Sequence, residues 1–174
     1  MQPRIDYNTV APEAVAAMGH VEDYVRSCGL ERSLLELVKL RSSQINGCAY
    51  CVDMHTKDAR AAGETEQRLY AVAVWQEAPF FSDRERAALA WAEAVTLVSS
   101  GHVPDTVYLE CRKHFSEKEL SDLTVAIIAI NGWNRLAVSF RVLAGTYEPK
   151  KANGQQVERE RESALQARAD NGIR

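Results

Sequence analysis

The 174-residue chain is poor in the features that would place it in several large classes. Four cysteines are too few to staple a chain of this length as a disulfide scaffold. Neither charge dominates: the net charge is −3, and no long basic block marks a nucleic-acid surface. The longest apolar run, LTVAIIAI from Leu123 to Ile130, falls well short of the ~20 residues that span a bilayer. At the N-terminus, MQPRIDYNTVAPEAVAAMGH carries an acidic residue and prolines where the apolar core of a signal peptide would sit. Apolar/polar alternation of useful length is missing, so strands are not expected. These absences predict a soluble, cytoplasmic protein with no nucleic-acid or membrane partner.

What the chain does have is helix punctuation. A first helix is expected from Pro12 to about Ser27, with proline in its first turn and Gly29 just past its end. A second is expected from about Glu31 to Ile45, a third from Ala49 to Ala62 stopped by Gly63, and a fourth from about Glu64 to Trp75. Ser82 and Glu85 form a capping box that opens a long helix through RERAALAWAEAVTLVSS. Another helix follows Pro104 through DTVYLECRKHF. A second box, Ser116 with Glu119, opens the most apolar helix, which is expected to run to about Leu143. The reading is one all-α domain over residues 1–145. Residues 146–174 are highly charged and poor in large apolar side chains, so they form a tail or an arm on a neighbouring subunit, with a helix expected from about Gln156 to Ala169.

The chemistry concentrates in NGCAYCVDMH, Asn46 to His55. If a helix starts at or before Cys48, then Cys48, Cys51 and His55 fall within ~60° of one another on its surface. That placement suits thiol chemistry. A thiolate is the reactive form, and N–H dipoles at a helix start favour it. A histidine one turn on can accept the proton, and a second cysteine can resolve an oxidised partner as a disulfide. Competing readings stand beside this one. Cys48 and Cys51 with Cys111 and His114 could make a structural zinc tetrad. Both cysteines could instead be small core residues, as Cys28 and Cys111 are expected to be. His55 could be a helix-face histidine with no special contact.

Glu36 lies among leucines in LLELVKLR and needs a partner. Arg32 and Lys39 can supply one locally as a surface salt bridge. Alternatively Glu36 faces the third helix and orients or deprotonates His55. Asn131 and Asn134, i,i+3 on the closing helix, are read as capping or cross-linking residues, and Trp133 as packing. His20 and His102 are expected at the surface or at helix ends.

The pattern E-x11-C-x-x-C-x3-H, formed by Glu36, Cys48, Cys51 and His55, resembles the AhpD-like alkylhydroperoxidase family within the carboxymuconolactone decarboxylase superfamily. AIIAINGWNRLAVSFR, Ala126 to Arg141, is similar to the closing core helix of that family's peroxidase-related branch. The resemblance covers roughly residues 10 to 145. It implies an all-α AhpD-like helical bundle around a helical hairpin that carries the CxxC, assembled as a homo-oligomer, a trimer or hexamer. It implies a peroxidase without metal, flavin or haem, which uses a hydroperoxide and an external dithiol reductant. Carried over by position, Cys51 is the reactive thiolate and Cys48 its resolving partner. His55 and Glu36 form the proton relay. Tyr50 stands where some members carry a second histidine, and a phenol is a poor base at neutral pH.

The leading expectation is thus a thiol-dependent hydroperoxide reductase. A protein disulfide reductase using the same dithiol is one alternative, and a zinc-stabilised interaction module is another. A lactone decarboxylase role does not need the two cysteines.

Overall fold

The computed structural model describes residues 2–149, and the helix expected within the tail lies outside them. Nine α-helices and one 3-10 turn make up the described residues, with no strand among them. They are α1 (Tyr7–Val10), α2 (Pro12–Ser27), α3 (Arg32–Ile45), α4 (Ala49–Ala61), α5 (Glu66–Ala71), α6 (Asp83–Thr96), α7 (Val98–Gly101), α8 (Asp105–His114) and α9 (Glu117–Phe140). The all-α expectation holds, and both capping boxes form. Ser82 and Ser116 accept the N3 backbone N–H while Glu85 and Glu119 reach back to the cap.

α3 is the central element, packed against α4, α6 and α9. Its buried residues, Leu34, Leu35, Leu37, Val38 and Leu40, nearly encircle it, as expected of an interior helix. One apolar cluster joins α3 to α6, α8 and α9 through Leu34, Val38, Trp91, Cys111 and Ile127. A second joins it to α4, α5, the 3-10 turn and α6 through Leu37, Leu40, Ala59, Leu69, Val72 and Leu89. α9 is long and apolar enough to cross a bilayer by length and composition, which the Leu123–Ile130 run alone did not predict. Leu123, Ala126, Ile127 and Ile130 on one of its faces are nevertheless fully buried in the bundle.

Three boundaries differ from expectation. The fourth helix stops at Ala71 and tightens into a 3-10 turn, Val72–Val74, ahead of Pro79. Carbonyls of Trp75, Gln76 and Ala78 that would be left over are taken up by the Arg86 guanidinium. The long helix after Ser82 breaks at Leu97, and a single turn, α7, follows it. The closing helix ends at Phe140, where Arg141 adopts a left-handed conformation.

The link between α3 and α4 positions the site. Gly47 has φ +65°, a conformation that costs glycine little. Its N–H bonds to Gln44 O, and the Cys48 N–H bonds to Ser43 O. This six-to-one, five-to-two pairing is a Schellman ending, which satisfies the last carbonyls of α3. It delivers Cys48 directly as the N-cap of α4.

Candidate functional site

Cys48 lies just outside the helix, not in its first turn. Its backbone is extended (φ −86°, ψ 93°), and its sulfur folds over the helix start to accept the Cys51 N–H at 3.4 Å. The shared-face placement requires a helix beginning at or before Cys48. The structure reaches the same pairing by a cap, which places the sulfur against the unpaired N–H groups of the first turn. Cys48 and Cys51 are 1% and 2% exposed and share a small cluster with Ile130 and Ala137, edged by Tyr50 and Val142.

The two sulfurs have opposed acidities. The Cys48 thiol is lowered to about 7, first by the hydrogen bond from the Cys51 thiol, against the opposing effect of burial. The backbone N–H groups of Cys51 and Tyr50 and the Asn134 side chain add to the lowering. Cys51 is pushed up, because its thiol donates to Cys48, is buried, and faces that sulfur's charge. Ionisation of one sulfur therefore opposes ionisation of the other, and Cys48 is the one held toward the thiolate.

Glu36 and His55 meet between α3 and α4. His55 Nδ1 lies 2.8 Å from Glu36 Oε2, and both side chains are largely buried. The local surface salt bridge weighed for Glu36 does not form with Lys39. That ammonium turns to Glu22 at 2.6 Å in a buried ion pair of its own. Burial opposes the charge on Glu36, but the His55 hydrogen bond and charge, with Lys39 and Arg32 nearby, hold its carboxyl below the ordinary range. Through Nδ1 the carboxylate fixes the imidazole and leaves Nε2 outside that contact. Nε2 is buried and has no hydrogen-bond partner among the described residues. No hydrogen bond joins it to either sulfur, so a proton passing between Cys51 and His55 needs a bridging group.

Asp58, one turn beyond His55 on α4, completes a group whose ligand atoms all lie within 4.8 Å of one another with Glu36 and His55. These are the residues that could hold a cation. Glu36 is already engaged by His55, however, and Asp58 accepts from the Tyr147 hydroxyl at 2.8 and 3.0 Å. Burial and the charge of Glu36 raise the Asp58 carboxyl, against the Tyr147 hydrogen bond.

The zinc tetrad is not assembled. The Cys111 thiol donates to Ala87 O at 3.3 Å inside the α3–α6–α8–α9 cluster, and His114 pairs with Glu110 at 3.4 Å. Cys48 and Cys51 belong to a different cluster. Cys111 is a core residue, and burial pushes its thiol up to about 11. Cys28 is half-buried, with its thiol on Val25 O. His20 and His102 are exposed, as expected.

Asn134 fills the cross-linking role expected of it. It joins α9 to α3 by donating to Ser43 Oγ at 3.1 Å and accepting from Asn46 at 2.8 Å. Its amide lies near enough to the sulfurs to lower both thiols, against their burial. The available signal was an asparagine in the middle of the most apolar helix, where an amide needs buried partners.

The family model for the carboxymuconolactone decarboxylase family matches residues 11–94, which include Glu36, Cys48, Cys51 and His55. Protein YdfG of Bacillus subtilis (strain 168), uncharacterized, is 45% identical over 139 residues, covering 80% of this chain and 95% of its own. The chain belongs to the carboxymuconolactone decarboxylase family. A protein of unknown function from Agrobacterium tumefaciens, ATU0492, provisionally described as the antioxidant defence protein AhpD, superposes with a TM-score of 0.82. It is 46% identical, and the match covers 84% of this chain and all of that one. The AhpD-like fold is thereby shown for this family member. The debrominase Bmp8 shares the fold alone, at 22% identity and a TM-score of 0.71 over 78% of this chain and 73% of its own. The same scaffold thus serves more than one chemistry.

Proposed function

We propose that this carboxymuconolactone decarboxylase family member is a thiol-dependent hydroperoxide reductase. The observation that carries the reading is a buried cysteine pair at a helix N-terminus, the Cys48 sulfur accepting the Cys51 N–H, one turn from a histidine oriented by a buried carboxylate. The provisional antioxidant role of the Agrobacterium relative agrees with it.

His55, acting through a bridging water, takes the proton of the Cys51 thiol while Glu36 balances the imidazolium charge. The Cys51 thiolate attacks the distal oxygen of ROOH. The O–O bond breaks, the alkoxide leaves with the electron pair, and His55 returns the proton to give the alcohol. Cys51 is then a sulfenic acid. The Cys48 thiolate attacks its sulfur, hydroxide leaves and is protonated to water, and a Cys48–Cys51 disulfide remains. An external dithiol reduces it and is itself oxidised. Tyr50 takes no part as a base, because burial raises its hydroxyl further. We also propose that the chain works as a homo-oligomer, because α9 and the segment after it present Ile128, Val138 and Leu143 to solvent.

Hydroperoxide consumption with a dithiol reductant tests the scheme. Wild type turns over continuously, and Cys51→Ser is inactive. Cys48→Ser completes a single turnover and leaves a sulfenic acid on Cys51 that a nucleophilic trap captures. Equal rates for wild type and Cys51→Ser overturn the reading. A much faster turnover on a protein disulfide than on hydroperoxide replaces it with a disulfide reductase.

A further inference from the structure

Cys48 and Cys51 are 1% and 2% exposed, yet thiol exchange requires a second sulfur to reach one of them. Part of their cover must therefore move. Ile130 and Ala137 of α9 pack against them, with Tyr50 and Val142 at the edge. α9 cannot withdraw, because Leu123, Ala126 and Ile127 on the same helix are fully buried in the core. Val142 is the cover residue that no helix holds.

Val142 belongs to a short segment with two left-handed residues, Arg141 at φ +57° and Gly145 at φ +94°. Its N–H closes α9 on Ala137 O at 3.0 Å. Beyond it, the hydrogen bonds of the segment among the described residues run to side chains of α4. The Gly145 N–H donates to Asp53 Oδ2 at 3.0 Å, and Lys57 Nζ donates to Tyr147 O at 2.9 Å. Asp53 and Lys57 pair with each other at 3.0 Å, and their side chains are 25% and 32% exposed, so water competes for these two ties. The third tie is different. The Tyr147 hydroxyl donates to both oxygens of Asp58, at 2.8 and 3.0 Å, in a part-buried contact. Burial, then the bond to Asp58, raises that hydroxyl, so it stays a donor through the neutral range. Asp58 has an oxygen within 4.8 Å of the Glu36 carboxylate and the His55 ring. One segment thus touches the cysteine pair at Val142 and the edge of the histidine site at Tyr147.

We propose that residues 141–147 are a strap over the cysteine pair, hinged at Arg141 and latched to α4 by the Tyr147–Asp58 hydrogen bond, and that its release opens the way to the sulfurs. The reactant whose entry it governs is the external dithiol, which rests on the reductase reading above. A left-handed conformation is unfavourable for arginine, so leaving it offsets part of the cost of losing the latch. The helices that carry the cysteines, the histidine and the carboxylate stay in place, and the motion is confined to the segment after α9.

The test is the reaction of the reduced full-length protein at neutral pH with dithiobis(nitrobenzoate), a bulky aromatic disulfide, beside iodoacetamide as the small reagent. Peptide mass spectrometry follows free thiol at the cysteine pair and at Cys111, which is fully buried in another core and gauges general opening. Tyr147→Phe keeps the ring and removes the latch. The pair then reacts several-fold faster with the aromatic disulfide and gains less with iodoacetamide, while Cys111 keeps its wild-type rate. A change in thiol acidity would instead speed or slow both reagents alike. Gly145→Ala meets no atom within 4 Å but strains at φ +94°, and it moves the rates in the same direction. Should Tyr147→Phe fail to fold, Gly145→Ala decides alone. A pair rate within about 1.5-fold of wild type in folded Tyr147→Phe overturns the proposal, and so does equal acceleration of the pair and Cys111. No peroxide enters the measurement. A protein inert to hydroperoxides that shows the gain keeps the strap and loses the reductase reading, and an active one without the gain does the reverse.

Discussion

His55 Nδ1 and Glu36 Oε2 lie 2.8 Å apart across the α3–α4 contact, nineteen positions apart in sequence. The contact commits Nδ1, and in the proposed scheme Nε2 carries the proton. Glu36→Gln keeps the shape and the acceptor but removes the charge that stabilises an imidazolium. Hydroperoxide turnover is expected to fall by roughly 10²-fold, within the range for losing positioned acid–base help, while the fold persists. Steady-state rates with circular dichroism of the same sample check this, and an unchanged rate removes the relay.

Acid should destabilise the fold through carboxylates that are paired or bonded. Glu119 is held down to about 2, first by the Ser116 backbone N–H, against burial, with the Ser116 hydroxyl and Arg84 adding to it. Glu36 is also held below its ordinary value. Folded, both carboxyls bind protons less readily than when unfolded. Their stabilisation is therefore fully present above about pH 4.5 and is lost as pH falls from there toward 2. Tm measured in half-unit steps should drop across that window, and Glu119→Gln should flatten part of the drop.

Access to the sulfurs should limit their reactions. Both are almost wholly covered, and Tyr50 and Val142 pack at their edge. Tyr7 of α1 lies near enough that the ionised sulfurs, after burial, help raise its hydroxyl. α1 is held over this end of α9 by the Tyr7–Phe140 ring contact and by Arg4 on Phe140 O and Ser139 O. Tyr7→Ala should speed reaction of Cys48 with a bulky aromatic disulfide several-fold. No acceleration would place the route to the sulfurs elsewhere.

Light scattering at micromolar concentration should find a trimer or hexamer. Ile128 is 60% exposed on α9, with Val138 exposed on the same helix, a poor arrangement for an isolated chain. Charge at that position, as in Ile128→Glu, should shift the assembly toward smaller species. A wild-type monomer would contradict the assembly outright.

Local chemistry in the sequence announced much of this molecule. The capping boxes at Ser82 and Ser116 and the left-handed glycine at Gly63 act within four or five residues, and all three form. Choices between partners were less legible. Lys39 stands three residues from Glu36, yet it bonds Glu22 of α2, seventeen residues away. The Asn134 contacts span 88 and 91 positions, so no local window contains them. The zinc tetrad failed for the same kind of reason. Cys111 and His114 had suitable spacing, but α8 turns Cys111 into a different core.

The three-residue link between α3 and α4 has a further consequence. The same turn that ends one helix begins the other, so it acts as a ruler between the carboxylate on the first and the sulfurs on the second. One residue added or removed there would break the helix ending and the Cys48 cap together and shift Glu36 relative to the imidazole. Acidity at the sulfurs and proton transfer at the histidine are thus set by a single length, and neither can be retuned by an insertion without dismantling the other.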